Sequence, residues 1–458
     1  MGNSPPTASI HILDDDSLLN VFYLYRPFLL GEDDEDEGIR LIGGKEGGVR
    51  GRWWYNLAHV CQRWRNVILG SASYLGVFLI CTDGTPVADM LALSPPLPLI
   101  IDYRLDEDDD EEGAILALKQ YDRVRRVRLA TSVTRLQKLI TAMDSEYLIL
   151  EYLIIGHQEK DSSSILIFPE TLQAPRLHHL ALFGVTLPIG SRLLTAAVSL
   201  VTLCLFMFHP STHFHPNTLL QWLSSVPQLE TLIIDFFFAI PNRDVEGQLM
   251  RTPIMTAVAL PNLHCFAFRG VATYLEAIVH RITTPRLEKL QIYIFNQLMF
   301  SVPRLLQFVS TTENLGLRFK CAKLKFDDKE VGVEVYSHEE AETFVLSIAV
   351  NSCHLDWQVS SAAQISNSLS PTFSEVDHLT LGYSVHNQSS EEHNEVDPTE
   401  WRKLFRSFGN VKTLCIADGL ANELSRLELD DGEKLLSELQ ELTFFCEWQF
   451  RQYIYLIY

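Results

Sequence analysis

Pro175-Arg176-Leu177-His178-His179-Leu180-Ala181-Leu182-Phe183 places three apolar anchors, Leu177, Leu180 and Leu182, three and then two positions apart. The same spacing recurs upstream as Val124-Val127-Leu129 and Leu150-Leu153-Ile155. Downstream it returns as Leu200-Leu203-Leu205, Leu229-Leu232-Ile234, Leu263-Phe266-Phe268 and Leu287-Leu290-Ile292. Later copies are Cys321-Leu324-Phe326, Val376-Leu379-Leu381, Val411-Leu414-Ile416 and Leu439-Leu442-Phe444. Up to residue 287 the first anchors step by 26, 27, 23, 29, 34 and 24 residues.

The last two anchors alternate as in a strand, so both side chains fall on one face. A variable segment then returns, usually as a helix, to start the next strand in parallel. One unit cannot cover its own core, but stacked units can. That phrase and period resemble leucine-rich repeats, and the implied fold is an α/β solenoid of parallel strands with helical returns over 121–458. Four units open on a proline: Ala174-Pro175, Val226-Pro227, Leu260-Pro261 and Thr284-Pro285. A proline there stops the preceding helix and sets an extended lead into the strand. Residues 330–375 break the rhythm: Glu339–Val350 reads as helical or mixed, and a helix follows His354 to about Leu369. His386–Asp397 reads as an exposed loop, and the apolar end Trp448–Tyr458 as a closing strand or cap.

The residues between and after the last two anchors face the other side of the sheet. They include Ala181, Phe183, Cys204, Phe206, Ile233, Asp235, Ala267, Arg269, Gln291 and Tyr293. They are more apolar than a solvent-washed sheet carries. Either another segment covers this face or it recognises a target protein, through Asp235, Arg269, Gln291 and Tyr293.

The amino end is different. Leu13–Leu30 has apolar residues at helical spacing, with Asp14–Ser17 supplying cap candidates. An acidic, glycine-rich insert follows at about 31–50. A second helical pattern runs from Trp53 to about Leu69, with Gly70 as its C-cap. Two helices this short need a partner, or the rest of the chain, to bury their stripes. Residues 77–120, with the acidic run 106–112, read as a linker.

Ile12-Leu13-Asp14-Asp15-Asp16-Ser17-Leu18-Leu19-Asn20-Val21-Phe22, followed by Trp54–Arg65 with its Val60-Cys61-Gln62-Arg63-Trp64-Arg65 string, resembles an F-box over 8–76. An F-box before leucine-rich repeats is similar to the expanded F-box family of mushroom-forming fungi; Asp356-Trp357-Gln358-Val359-Ser360-Ser361 also resembles that group. Asp14 stands where the family usually has proline, and the insert lengthens a loop that is normally short. The resemblance implies a non-catalytic substrate-recognition subunit of a cullin-type ubiquitin ligase, in the cytoplasm or nucleus. It implies that Leu13, Leu18, Leu19 and Phe22 of the first helix and Leu57, Val60 and Trp64 of the second dock on a Skp adaptor, while the repeats hold a target. A repeat scaffold whose degenerate F-box has no ligase role is the alternative.

Charge and motifs narrow the remaining classes. The chain of 458 residues carries a net charge of −21; without the thirteen acids of Glu32–Glu37 and Asp106–Glu112 it carries −8. No basic face is expected for nucleic acid or an anionic membrane. The most apolar stretch, Leu193–Phe208, is short of the ~20 residues of a membrane helix. Eight scattered cysteines without a C-x-x-C pair suit a reduced interior. There is no G-x-S-x-G, no G-x-G-x-x-G and no phosphate loop; Lys45 is followed by Glu46. Asp106–Gly113 departs from a calcium loop at Glu111 and Ala117. His209, His213 and His215 are the best zinc candidates, as of a hydrolase, but Pro210 and Pro216 forbid a regular helix there. No cofactor or metal is expected.

Overall fold

The computed structural model describes residues 13–25, 53–82, 84–104, 111–157, 166–185, 187, 190–207, 214–236, 257–295, 302–312, 315, 319–338, 344–384, 396–425 and 436–445. The chain divides into two compact units, Met1–Ala197 and Val198–Tyr458.

The first unit begins with a helical module: α1 (Asp15–Tyr25), α2 (Trp53–Ala58), α3 (Gln62–Gly70) and α4 (Ala72–Leu75). Asp14 starts α1, its Oδ1 accepting from the Ser17 N–H at 2.7 Å. The stretch expected as a single helix from Trp53 to Leu69 is two. After α2 the Val60 N–H bonds three residues back, to Leu57, and the backbone extends at Cys61. The Cys61 Sγ then caps α3 by accepting from the Trp64 N–H. Gly70 is the last helical residue, and Ser71 takes the cap position assigned to it from the sequence. Residues 26–30, the rest of the expected first helix, and the insert at 31–50 lie outside the described residues.

Residues 77–120 are no linker. They hold β1 (Leu79–Thr82), α5 (Val87–Leu93), β2 (Leu99–Arg104) and α6 (Glu111–Leu118). The phrase missed them because the buried anchors Leu97, Leu99 and Ile101 are spaced two and two. Of the acidic run, Glu111 and Glu112 open α6 at its favourable dipole end; 106–110 lie outside the described residues. β3 (Val124–Ala130), α7 (Val133–Ala142), β4 (Tyr152–Gly156), β5 (His179–Phe183) and α8 (Arg192–Ala196) complete the unit. β1 to β5 pair in chain order, all parallel.

The second unit runs β6 (Thr202–Phe206), α9 (Pro216–Leu223), β7 (Thr231–Asp235), β8 (Val258–Ala259), β9 (Cys265–Gly270), α10 (Ala272–Val279), β10 (Ile282–Thr283) and β11 (Lys289–Ile294). It continues with α11 (Pro303–Thr311), β12 (Cys321–Asp327), β13 (Glu330–Tyr336), β14 (Leu346–Asn351), α12 (Leu355–Ser368), α13 (Ser370–Phe373) and β15 (His378–Ser384). It ends with α14 (Pro398–Arg406), β16 (Thr413–Ala417), α15 (Asp418–Ser425) and β17 (Glu441–Phe445). Its sheet order is β6-β7-β9-β11-β14-β13-β12-β15-β16-β17, with β8 and β10 forming a separate parallel pair.

Each anchor phrase lies on or leads into a strand, in an α/β array of leucine-rich-repeat type. Every anchor from Val124 to Ile292 is buried, whereas Leu442 and Phe444 on β17 are exposed. The expected closing segment 448–458 and the loop 386–395 lie outside the described residues. The proline leads are tighter than an extended approach. The first anchor's N–H donates to the carbonyl three residues back: Leu177 to Ala174 (3.1 Å), Leu229 to Val226 (3.2 Å), Leu263 to Leu260 (3.3 Å) and Leu287 to Thr284 (3.3 Å). Proline therefore sits second in a β-turn, where its fixed φ belongs.

The break in rhythm is a meander. β12 pairs antiparallel with β13, and β13 antiparallel with β14. β14, not β12, lies beside β11, in parallel, while β12 lies beside β15. The helical or mixed reading of Glu339–Val350 is thus corrected to a strand from Leu346, because all but the last residue of Leu346–Asn351 are buried and a run covered on both faces hides its two-residue alternation. Gln358, on α12, is buried and donates to the carbonyls of Asp327 and Ser352, both at 2.7 Å. That one amide ties the helix to the β12–β13 turn and to the exit of β14, which lie side by side.

The apolar stretch Leu193–Phe208 is divided between α8 and β6. Among the described residues no helix is long and apolar enough to cross a membrane.

Candidate recognition surface

Of the residues expected to meet an adaptor, the structure puts two in the interior. Leu18 is 0% and Phe22 1% exposed, and Trp64, half-buried, stands edge-on to Phe22 at 4.9 Å between ring centroids. Helical spacing marks an apolar face but not what covers it. Here α3 does, held back onto α1 by Arg63, which bonds the Leu13 carbonyl (2.6 Å) and pairs with Asp15 (2.7 Å). Leu13, Leu19 and Leu57 are half-buried, and Val60 is exposed. The large apolar side chains left exposed on α1 are Val21, Tyr23, Leu24 and Tyr25; Val21, Leu24 and Tyr25, three and one positions apart, share one helical stripe, with Leu24 83% exposed.

The sheet's other face carries the residues expected to hold a target. Strand register aligns Asp235 with Arg269 and Arg269 with Tyr293. The Arg269 Nη1 lies 3.7 Å from the Asp235 carboxylate, and the guanidinium sits over the Tyr293 ring at 4.7 Å. Asn351 donates to the Tyr293 hydroxyl at 3.4 Å. Burial, with the Glu330 carboxylate beside it, pushes the Tyr293 hydroxyl's pKa up, and burial raises the Glu330 carboxyl. Gln291 lies in the adjoining row, between Ala267 and Ser347. Three of the four expected residues are therefore one group, and Gln291 is its neighbour. Further along, Glu334 accepts from Lys325 and from the Tyr336 hydroxyl, both at 2.6 Å. Opposite it Lys323, held down to about 8 by burial and then by Lys325, completes the row.

A second group, in the first unit, was not anticipated. Arg126 on β3 lies over the Tyr152 ring of β4 at 4.2 Å, and that ring stacks on His179 of β5 at 4.0 Å and 8°. One row up, Asp102 of β2 is paired in register with Arg128 and accepts from Arg104 at 3.3 and 3.4 Å. Asp102 is buried; Arg104, Arg126, Arg128, Tyr152 and His179 are half-buried. Burial, then His178 and Arg126, pull the His179 imidazole down to about 4, so it is uncharged at neutral pH. Burial lowers the Arg126 and Arg128 guanidiniums and raises the Asp102 carboxyl. The signal in the sequence was Arg123-Val124-Arg125-Arg126-Val127-Arg128, in which the two valines are anchors. Net charge hid it. These arginines are not free of counter-charge: Asp102 acts on Arg104 and Arg128, and Glu151 on Arg126. Arg123 and Arg125 are taken up structurally, by the Leu97 and Pro95 carbonyls and by Glu151.

Of the zinc candidates, His215 caps α9, its Nδ1 accepting from the Asn217 N–H at 3.3 Å; His209 and His213 lie outside the described residues. No group of three metal-ligating side chains converges among the described residues.

No protein-family model matches the chain, and no curated protein matches it. Solved structures similar to it include the leucine-rich repeat-containing protein LegL7 of Legionella pneumophila, at 10% identity over 81% of this chain and 91% of that one, with a TM-score of 0.27. The Rad7 and Elc1 complex of yeast aligns at 11% identity over 88% of both chains, TM-score 0.27. The TLR13–ssRNA13 complex aligns at 13% over 80% of this chain and 54% of that one, TM-score 0.24. At such scores the repeat assignment rests on the strand registers above.

Proposed function

We propose that this chain is a non-catalytic recognition subunit. Its helical module, 13–75, docks on a Skp-type adaptor and so on a cullin-based ubiquitin ligase, and the open face of its strands holds a target protein. The observation that carries the reading is the α1 stripe Val21, Leu24 and Tyr25, exposed on a module whose own core is already filled by Leu18, Phe22 and Ile68. An apolar stripe of this kind fits helix-against-partner docking. The contact set moves accordingly: Leu18 and Phe22 hold the module together, and Val21, Leu24 and Tyr25 face the adaptor.

The test is co-purification with the adaptor. Leu24→Asp with Val21→Asp is expected to abolish capture without changing the unfolding midpoint. Leu18→Ala is expected to cost ~3 kcal/mol of stability by opening a cavity. A repeat scaffold with no ligase role is the second reading, favoured by the inward burial of Leu18 and Phe22. Wild-type chain that never captures the adaptor decides for it.

A further inference from the structure

We draw no further inference here: the strongest candidate, the uncharged side-chain pair of Gln291 and Ser347 at neighbouring positions on β11 and β14, belongs to the recognition surface already described, and nothing in the structure shows what covers it.

Discussion

The two units each lay an arginine across a tyrosine on the sheet face opposite the anchors, Arg126 on Tyr152 and Arg269 on Tyr293. The surroundings differ. Arg269 has Asp235 on one side and the Glu330 carboxylate acting on it from the other, while Lys325 and Glu334 neutralise each other further along. Arg126 has an uncharged imidazole behind its ring and Glu151 acting on it, with Arg104 and Arg128 beside Asp102 in the row above. The same stacked motif leans on a direct carboxylate pair in the second unit and on an aromatic stack with a neutral imidazole in the first. In the second the guanidinium depends on its counter-ion; in the first it depends on a stack whose inner ring can titrate.

The largest expected effect follows from removing the counter-ion. Asp235→Ala takes the counter-ion from a mostly buried guanidinium and should destabilise the second unit by about 2–3 kcal/mol, read as a shift in urea midpoint. Arg126→Gln in the first unit leaves no carboxylate stranded and should cost under about 1 kcal/mol. Equal losses would erase the distinction between the rows.

Next in size is a pH effect from the first unit's stacked row. His179 takes its proton only near pH 4 when folded, against an ordinary value of 6.5. The unfolded chain therefore binds the proton first, and stability falls as pH drops from 6.5 towards 4. The contribution lost by pH 5 is about 2 kcal/mol. Asp102 and Glu330, whose carboxyls are raised, act in the opposite sense: folded, they take a proton at higher pH than unfolded and regain stability on acidification. The comparison is accordingly wild type against His179→Phe, which keeps the stack and cannot titrate. The gap between their unfolding free energies should change between pH 7 and pH 5.

The smallest effect separates the rings. Tyr293→Leu should cost about 1 kcal/mol of stability, from the lost cation–π contact and the Asn351 bond. Tyr152→Leu should cost slightly more, because it loses the His179 stack as well as the Arg126 contact.

The sequence disclosed the strands well where the anchors keep their spacing. Each phrase from Val124 to Ile292 is buried because two alternating positions must face the helices whatever the loops do. It failed at β1 and β2, whose anchors are spaced differently, and at Leu346–Asn351, where the strand is covered on both faces and shows no alternation. The group Asp235, Arg269 and Tyr293 was legible from parity, each residue directly following its last anchor. The Arg126–Tyr152–His179 row obeys the same parity but lies one position before the anchors Val127, Leu153 and Leu180, outside the positions between and after the last two anchors. The inward turn of Leu18 and Phe22 was illegible for another reason: an amphipathic helix does not state which neighbour covers its stripe.

The reversed meander also bears on how the second unit can assemble. Elsewhere a folding front advances one step at a time, each strand docking on the one just made. At β11 that advance halts, since its outer neighbour in space begins at Leu346, beyond two strands not yet laid down. Until residues 321–351 have folded back on themselves there is no template for His378 onwards. The meander is a seam in an otherwise sequential array, and Gln358 is the stitch that closes it.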